Sequence, residues 1–118
     1  MKNFLAVYIG SPESTKVKQW EAMDEATRET KAQTGMQAWK EWVMKNQSFL
    51  VQMGGPLGET KRVNEKGVVD TNNTMSAFTV VKAESHEAAA KLFLNHPHFA
   101  IFPGDSVEIM EVLPIPGQ

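Results

Sequence analysis

Residues 3–9 read Asn-Phe-Leu-Ala-Val-Tyr-Ile, with an unbroken apolar run from Phe4 to Ile9. As an extended strand, this run places Phe4, Ala6 and Tyr8 on one face and Leu5, Val7 and Ile9 on the other. A strand on a sheet with one wet face alternates apolar and polar residues. This one does not, so cover is expected on both faces, by helices on one side and by something else on the other. The run is six residues long, far short of the roughly 20 that cross a bilayer as a helix. It follows Met1-Lys2-Asn3 with no cleavage site after it, so it reads as a strand and not as a signal peptide.

Outward from this strand, Gly10-Ser11-Pro12 marks a break, and Ser11 or Ser14 is placed to cap a helix. Val17, Trp20, Met23 and Ala26 then recur every three residues as one apolar stripe of a helix over 14–33. Gly35 interrupts the pattern, and Thr34-Gly35-Met36-Gln37 matches a capping box. A second helix is therefore predicted from Gly35 to Lys45, with Met36, Trp39, Trp42 and Val43 on one face. Ser48 to Met53 reads as a strand ending at Gly54-Gly55-Pro56. Residues 59–73 carry turn signals at Lys66-Gly67 and Asn72-Asn73 and read as an irregular hairpin excursion. Met75 to Lys82 is a strand, and Ser85 caps a third helix with Ala88, Ala89, Leu92 and Phe93 inward. Asn95 and Pro97 end that helix, and Ser106 to Leu113 forms the last strand before Pro114 and Pro116.

The order is β-α(α)-β-β-α-β, with the first crossover helix split in two. Two interleaved crossovers around one antiparallel sheet give an α+β, ferredoxin-like sandwich. Helices cover one sheet face. Phe4, Tyr8, Phe78 and Met110 are poor residues to leave to water, so a second copy is expected to pack sheet to sheet as a homodimer. The plainer alternative is a monomer with part of one face exposed.

The chain has 118 residues, 42% of them hydrophobic, a formal charge of -2 and no cysteine. This fits a single domain over residues 1–118. It excludes a disulfide scaffold, a thiolate metal site and a cysteine nucleophile. Charge is spread evenly, with a net of +1 over residues 1–61 and -3 over the rest. No basic stripe is present to bind a phosphate backbone and no polybasic block to bind an anionic bilayer, so neither nucleic acid nor membrane is an expected partner. A cytoplasmic location is the expectation.

Few residues here carry chemistry. His96 and His98 flank Pro97 in the connection after the third helix, and imidazole titrates near neutrality, which suits proton transfer. Their plain reading is that His96 caps a helix C-terminus and His98 is simply exposed. His-x-His with Asp105 is an incomplete zinc set, and His86 lies far away in sequence, so no metal is expected. Gly54-Gly55-Pro56 lets backbone amides approach a ligand closely, or serves only as a turn. It is no phosphate loop, because Thr60 precedes Lys61. Trp39 and Trp42 share a helix face and either wall an aromatic pocket or, with Trp20, belong to the core. Tyr8 ends the first strand with a polar tip able to orient a ligand or bond a dimer mate.

Gly54-Gly55-Pro56-Leu57-Gly58-Glu59-Thr60-Lys61 resembles the Asp-Gly-Pro-Phe-Ala-Glu-Thr-Lys signature of the DGPF branch of the YCII-related domain family, agreeing at five of eight positions. His96-Pro97-His98-Phe99 falls where YciI-like members carry an Asp-Pro-Phe stretch. Val107 to Ile115 resembles the family's closing strand with its proline. The likeness runs over most of the chain. It implies a ferredoxin-like fold dimerising into an α+β barrel. For function it implies a small-molecule-binding protein, with acid–base chemistry of the isomerisation, elimination or dehydrochlorination type on a small cyclic compound. The alternative is a non-catalytic ligand-binding or regulatory module. YciI-like members are credited with a His–Asp pair. Here residues 14–33 contain no histidine, and His96 stands in place of the aspartate. By their place in the loop after the third helix, and not by the family's pair, the candidate catalytic residues are His96 and His98. The candidate binding residues are Tyr8, Trp39, Gly54, Gly55, Pro56 and Phe99, with no cofactor expected.

Overall fold

A computed structural model describes residues 1–117. Its elements run β1 (Lys2–Ile9), α1 (Thr15–Ala22), α2 (Glu25–Lys45), a 3-10 turn (Gln47–Phe49), β2 (Leu50–Pro56), β3 (Thr60–Asn64), β4 (Gly67–Thr71), β5 (Met75–Ala83), α3 (His86–Lys91), α4 (Pro97–Ala100) and β6 (Ser106–Glu111). Four strands form one sheet in the order β2-β5-β1-β6, and every neighbouring pair is antiparallel. This is the ferredoxin-like α+β arrangement, with β1 and β5 at its centre. Among the described residues, no helix is long and apolar enough to cross a membrane.

Strand register sorts the apolar residues by face. Phe4, Ala6 and Tyr8 lie opposite Val81, Thr79 and Ala77 and point under the helices. Phe4, Ala6, Tyr8, Val81, Ala83, Ala89 and Phe93 form the core. Fully burying side chains of the size of Phe4 and Tyr8 contributes roughly 2–3 kcal/mol each. Leu5, Val80 and Met110 share the opposite, open face. The residues expected to need a second copy were thus partly misassigned. Phe4 and Tyr8 lie under the helices, 0% and 1% exposed, whereas Met110 does lie on the uncovered side.

The first crossover is split, but at a different place. Met23 is extended (φ -71°, ψ 153°) and ends α1. Asp24 then caps α2 by accepting from the Thr27 N–H at 2.7 Å. Helix α2 runs straight through Gly35. The expected Thr34 box does not form, and Gln37 instead pairs along the helix with Glu41. Gly35 is there for packing: a Cβ at this position would lie 2.5 Å from Cε2 of Phe102. A mid-helix glycine costs about 1 kcal/mol against alanine, and the close seating of Phe102 is what offsets it.

Strand β2 starts two residues later than predicted, because Gln47–Phe49 forms a 3-10 turn. It is irregular, with register shifts between Leu50 and Gln52 and again between Gln52 and Gly55. Gly54 sits at φ 70°, and a Cβ there would fall on the Phe78 carbonyl, so only glycine fits. The excursion over 59–73 is a regular hairpin, with Thr60 opposite Thr71 and Asn64 opposite Gly67. The Asn73 side chain accepts from the Met75 N–H at 2.8 Å and turns the chain into β5. Pro97 does more than end α3. It opens the four-residue α4, whose N-cap is His96. Strand β6 stops at Glu111, two residues short of the predicted end, although the Val112 N–H still donates to Asn3.

Candidate functional site

Helix α2, the bulged β2 and the end of β5 enclose a cleft of about 440 Å³. Its walls follow from features already described. The bulge at Gly54 swings Met53, Gly54, Gly55 and Pro56 along one side. Helix α2 presents Met36 and Trp39 on the other, and Phe102, seated on Gly35, closes the end. Tyr8 and Thr79 contribute the polar hydroxyls of an otherwise apolar and aromatic lining. The Tyr8 hydroxyl lies 3.1 Å from Thr79 Oγ1, and Thr79 Oγ1 donates to the Met53 carbonyl at 3.0 Å. Burial raises the pKa of the Tyr8 phenol, against the pull of the Thr79 bond. Tyr8 is therefore a neutral hydroxyl at ordinary pH.

Behind Trp39 lies His96, 0% exposed. Its ring is packed against Trp39 (4.5 Å between centroids, 88° between planes) and Trp42 (4.7 Å, 69°). Tyr8 and Phe93 complete the surround at 5.1 and 5.8 Å. Trp42 has its own partner, donating to the Leu92 carbonyl at 2.8 Å. His96 Nδ1 accepts the His98 N–H, while its Nε2 is buried with no hydrogen-bond partner among the described residues. Burial, and secondarily the neighbouring His98, push its pKa from 6.5 down to about 4. His96 is thus a neutral N-cap inside an aromatic cage and lines no part of the cleft.

His98 is packed against the other side of Tyr8, 5.3 Å between ring centroids. Its Nε2 lies 2.8 Å from the Ile9 carbonyl, so the proton sits on Nε2. Gly104 lets the ring lie flat on the chain, since a Cβ there would come within 2.3 Å of it. Burial lowers the His98 pKa, opposed by the Ile9 bond and by the charge of Asp105. Asp105 itself accepts from the Ser11 N–H at 2.9 Å. His98 borders a second, shallower cleft of about 330 Å³ with Ser11, Val17 and Phe102, so Phe102 stands between the two clefts.

The structure thus gathers Tyr8, Trp39, Gly54, Gly55 and Pro56 around one cavity. His96 lies behind it and His98 beside it. Phe99 lies elsewhere, in a hollow with Lys16, Trp20 and Phe102, and its carbonyl accepts from Lys16 Nζ at 2.8 Å. Sequence reasoning missed Thr79 and Phe102. Nothing in the sequence marks Thr79, whose partnership with Tyr8 arises from the pairing of β1 and β5. Phe102 has a signal in hindsight, the glycine at position 35 that makes room for it. His86 is occupied away from the cleft, with its Nε2 2.7 Å from the Ile109 carbonyl and its ring stacked on Phe4. Among the described residues, no three of His, Cys, Asp and Glu converge on a point that could hold a metal ion.

Comparison with known proteins bears on the fold. No family model matches the chain, and no curated protein does. Among solved structures, the chain is similar to 5-chloro-2-hydroxyhydroquinone dehydrochlorinase from Burkholderia phenoliruptrix AC1100, in complex with 2,5-dihydroxybenzoquinone. The TM-score is 0.52 at 17% sequence identity, over 92% of this chain and 90% of that one. At that identity the likeness shows a shared fold.

Proposed function

We propose that this chain is a small-molecule-binding protein of the YCII-related, DGPF type, a single cytoplasmic domain that takes a compact planar compound into the cleft between α2 and β2. The observation that carries this reading is the cleft itself. It combines about 440 Å³ of space, stacking surface from Trp39 and a buried hydroxyl pair at Tyr8 and Thr79. Mostly apolar concavities with a few placed polar groups are the usual form of ligand sites. The resemblance of residues 54–61 to the family signature supports it, since Gly54, Gly55 and Pro56 line the cavity. So does the fold neighbour, whose structure holds a dihydroxylated quinone. Calorimetry with 2-naphthol tests it. Saturable binding in the wild type, lost in Ala77→Leu, which fills the cleft from β5, is the expected result. No binding to the wild type, or equal binding to both proteins, contradicts it.

A second reading, acid–base catalysis, is favoured by one observation. His98 borders an open cleft near the charge of Asp105, and giving its Nε2 proton to the Ile9 carbonyl leaves Nδ1 as the basic atom of the ring. On this reading His98 is the group that exchanges protons with a small cyclic substrate, and His96 holds it in place through the hydrogen bond to its backbone. Loss of turnover in His98→Gln with an unchanged fold is its test, and full activity in that variant removes it. The open face of the sheet, with Leu5, Val80 and Met110, is the surface for a second copy, giving the homodimer of the α+β barrel.

A further inference from the structure

The hydroxyl groups at the cleft floor have a fixed direction. Thr79 has one hydroxyl proton, and it is given to the Met53 carbonyl at 3.0 Å. Thr79 Oγ1 is then an acceptor towards Tyr8, 3.1 Å away, so the Tyr8 proton points at Thr79. A phenol has one proton and two acceptor sites. With its proton spent inside the protein, Tyr8 offers the cleft acceptor capacity only. Among the described residues no basic side chain lines the cavity, so none of them compensates a buried anion there.

From this chain of two hydroxyls we infer that the cleft selects an uncharged ring compound carrying a hydrogen-bond donor, N–H or O–H, which Tyr8 accepts. Tyr8 is the specificity-determining residue, and Thr79 sets its polarity. This rests on the binding reading above and deepens it. A donor on the ligand gains a bond that no internal group competes for. A ligand with only a carbonyl in that position meets an acceptor, which leaves its own oxygen and the Tyr8 acceptor site without a donor and costs affinity.

Three neutral bicyclic probes of similar size separate the possibilities: indole, which donates an N–H; benzofuran, which has no donor; and 1-indanone, which only accepts. Affinities are measured by calorimetry on the intact protein, with the backbone amide spectrum of each variant as the control for folding. Indole is expected to bind the wild type about tenfold more tightly than benzofuran, the worth of one neutral hydrogen bond. In Tyr8→Phe the two should bind equally. In Thr79→Val, which keeps the shape of the side chain, the Tyr8 proton is released towards the cleft, and 1-indanone should gain several-fold over its wild-type affinity. Equal binding of indole and benzofuran to the wild type overturns the inference while leaving the binding reading intact. So does a preference for indole that survives Tyr8→Phe. Failure of all three probes to bind at millimolar concentration overturns both.

Discussion

The backbone N–H of His98 donates to Nδ1 of His96 across 3.0 Å, and this one bond decides the state of the His96 ring. It makes His96 the N-cap of α4. It also leaves the His96 proton on Nε2, a buried atom with no partner among the described residues. Protonating His96 would place a charge among Trp39, Trp42, Tyr8 and Phe93 and would turn Nδ1 from acceptor into donor, breaking the cap.

Acid should therefore loosen the protein. The His96 pKa is about 4 when folded against an ordinary 6.5, so between these values the unfolded chain binds a proton that the native state refuses. Stability is complete above about pH 6.5 and falls with pH, by roughly 3 kcal/mol in all by pH 4. The lowered pKa of His98 acts in the same direction. Urea midpoints measured from pH 7.5 to 4 check this, and His96→Phe should flatten the curve. A pH-independent midpoint in the wild type would contradict it.

Replacing His96 by alanine should act on the fold first. It empties a ring-sized space in the aromatic cage and removes the cap, at a combined cost of about 3 kcal/mol. Thermal melting checks this. A variant as stable as the wild type would mean that the cage does not hold α4 in place.

Glycines 35 and 54 should resist substitution for different reasons. In Gly35→Ala the new methyl displaces the Phe102 ring, so the variant should lose about 1–2 kcal/mol despite a better helix former. In Gly54→Ala the strain is in the backbone, at φ 70° against the Phe78 carbonyl, and the loss should be at least about 2 kcal/mol. Gly58→Ala, where a Cβ meets nothing, is the control. Denaturation of the three variants decides, and an unchanged Gly54→Ala would show that β2 is not held in its bulge.

The open sheet face gives the fourth expectation. Val80 lies opposite Leu5 on that face. In Val80→Lys a charge at the centre of the proposed interface should yield a folded monomer where the wild type sediments as a dimer. A wild type that remains monomeric at tens of micromolar contradicts sheet-to-sheet pairing.

The ferredoxin-like order of elements was legible because Phe4 to Ile9, Met75 to Lys82 and Ser106 onward carry strand patterns, and Ser85 announces its helix. Gly54, Gly55 and Pro56 were legible as punctuation of the second strand, and that punctuation is the part of the chain that bulges along the cavity. What was not legible depended on tertiary contact. Gly35 reads as a break from its propensity alone, and only the Phe102 ring explains a glycine inside α2. Phe4 and Tyr8 were placed on the wrong face because an apolar strand does not say which side the helices take. His96 looks like a loop group in the sequence, and its burial follows from the four aromatic rings that close over it.

On the proposed reading, a planar compound occupies the cleft beside Met36 and Met53. Both methionines line it, while Met1, Met44 and Met110 lie on exposed surface elsewhere. The most direct measurement is the carbon-labelled methionine-methyl spectrum during a titration with indole. Saturable shifts confined to Met36 and Met53 are the predicted result. Shifts centred on other methionines, or none at all, would contradict the account.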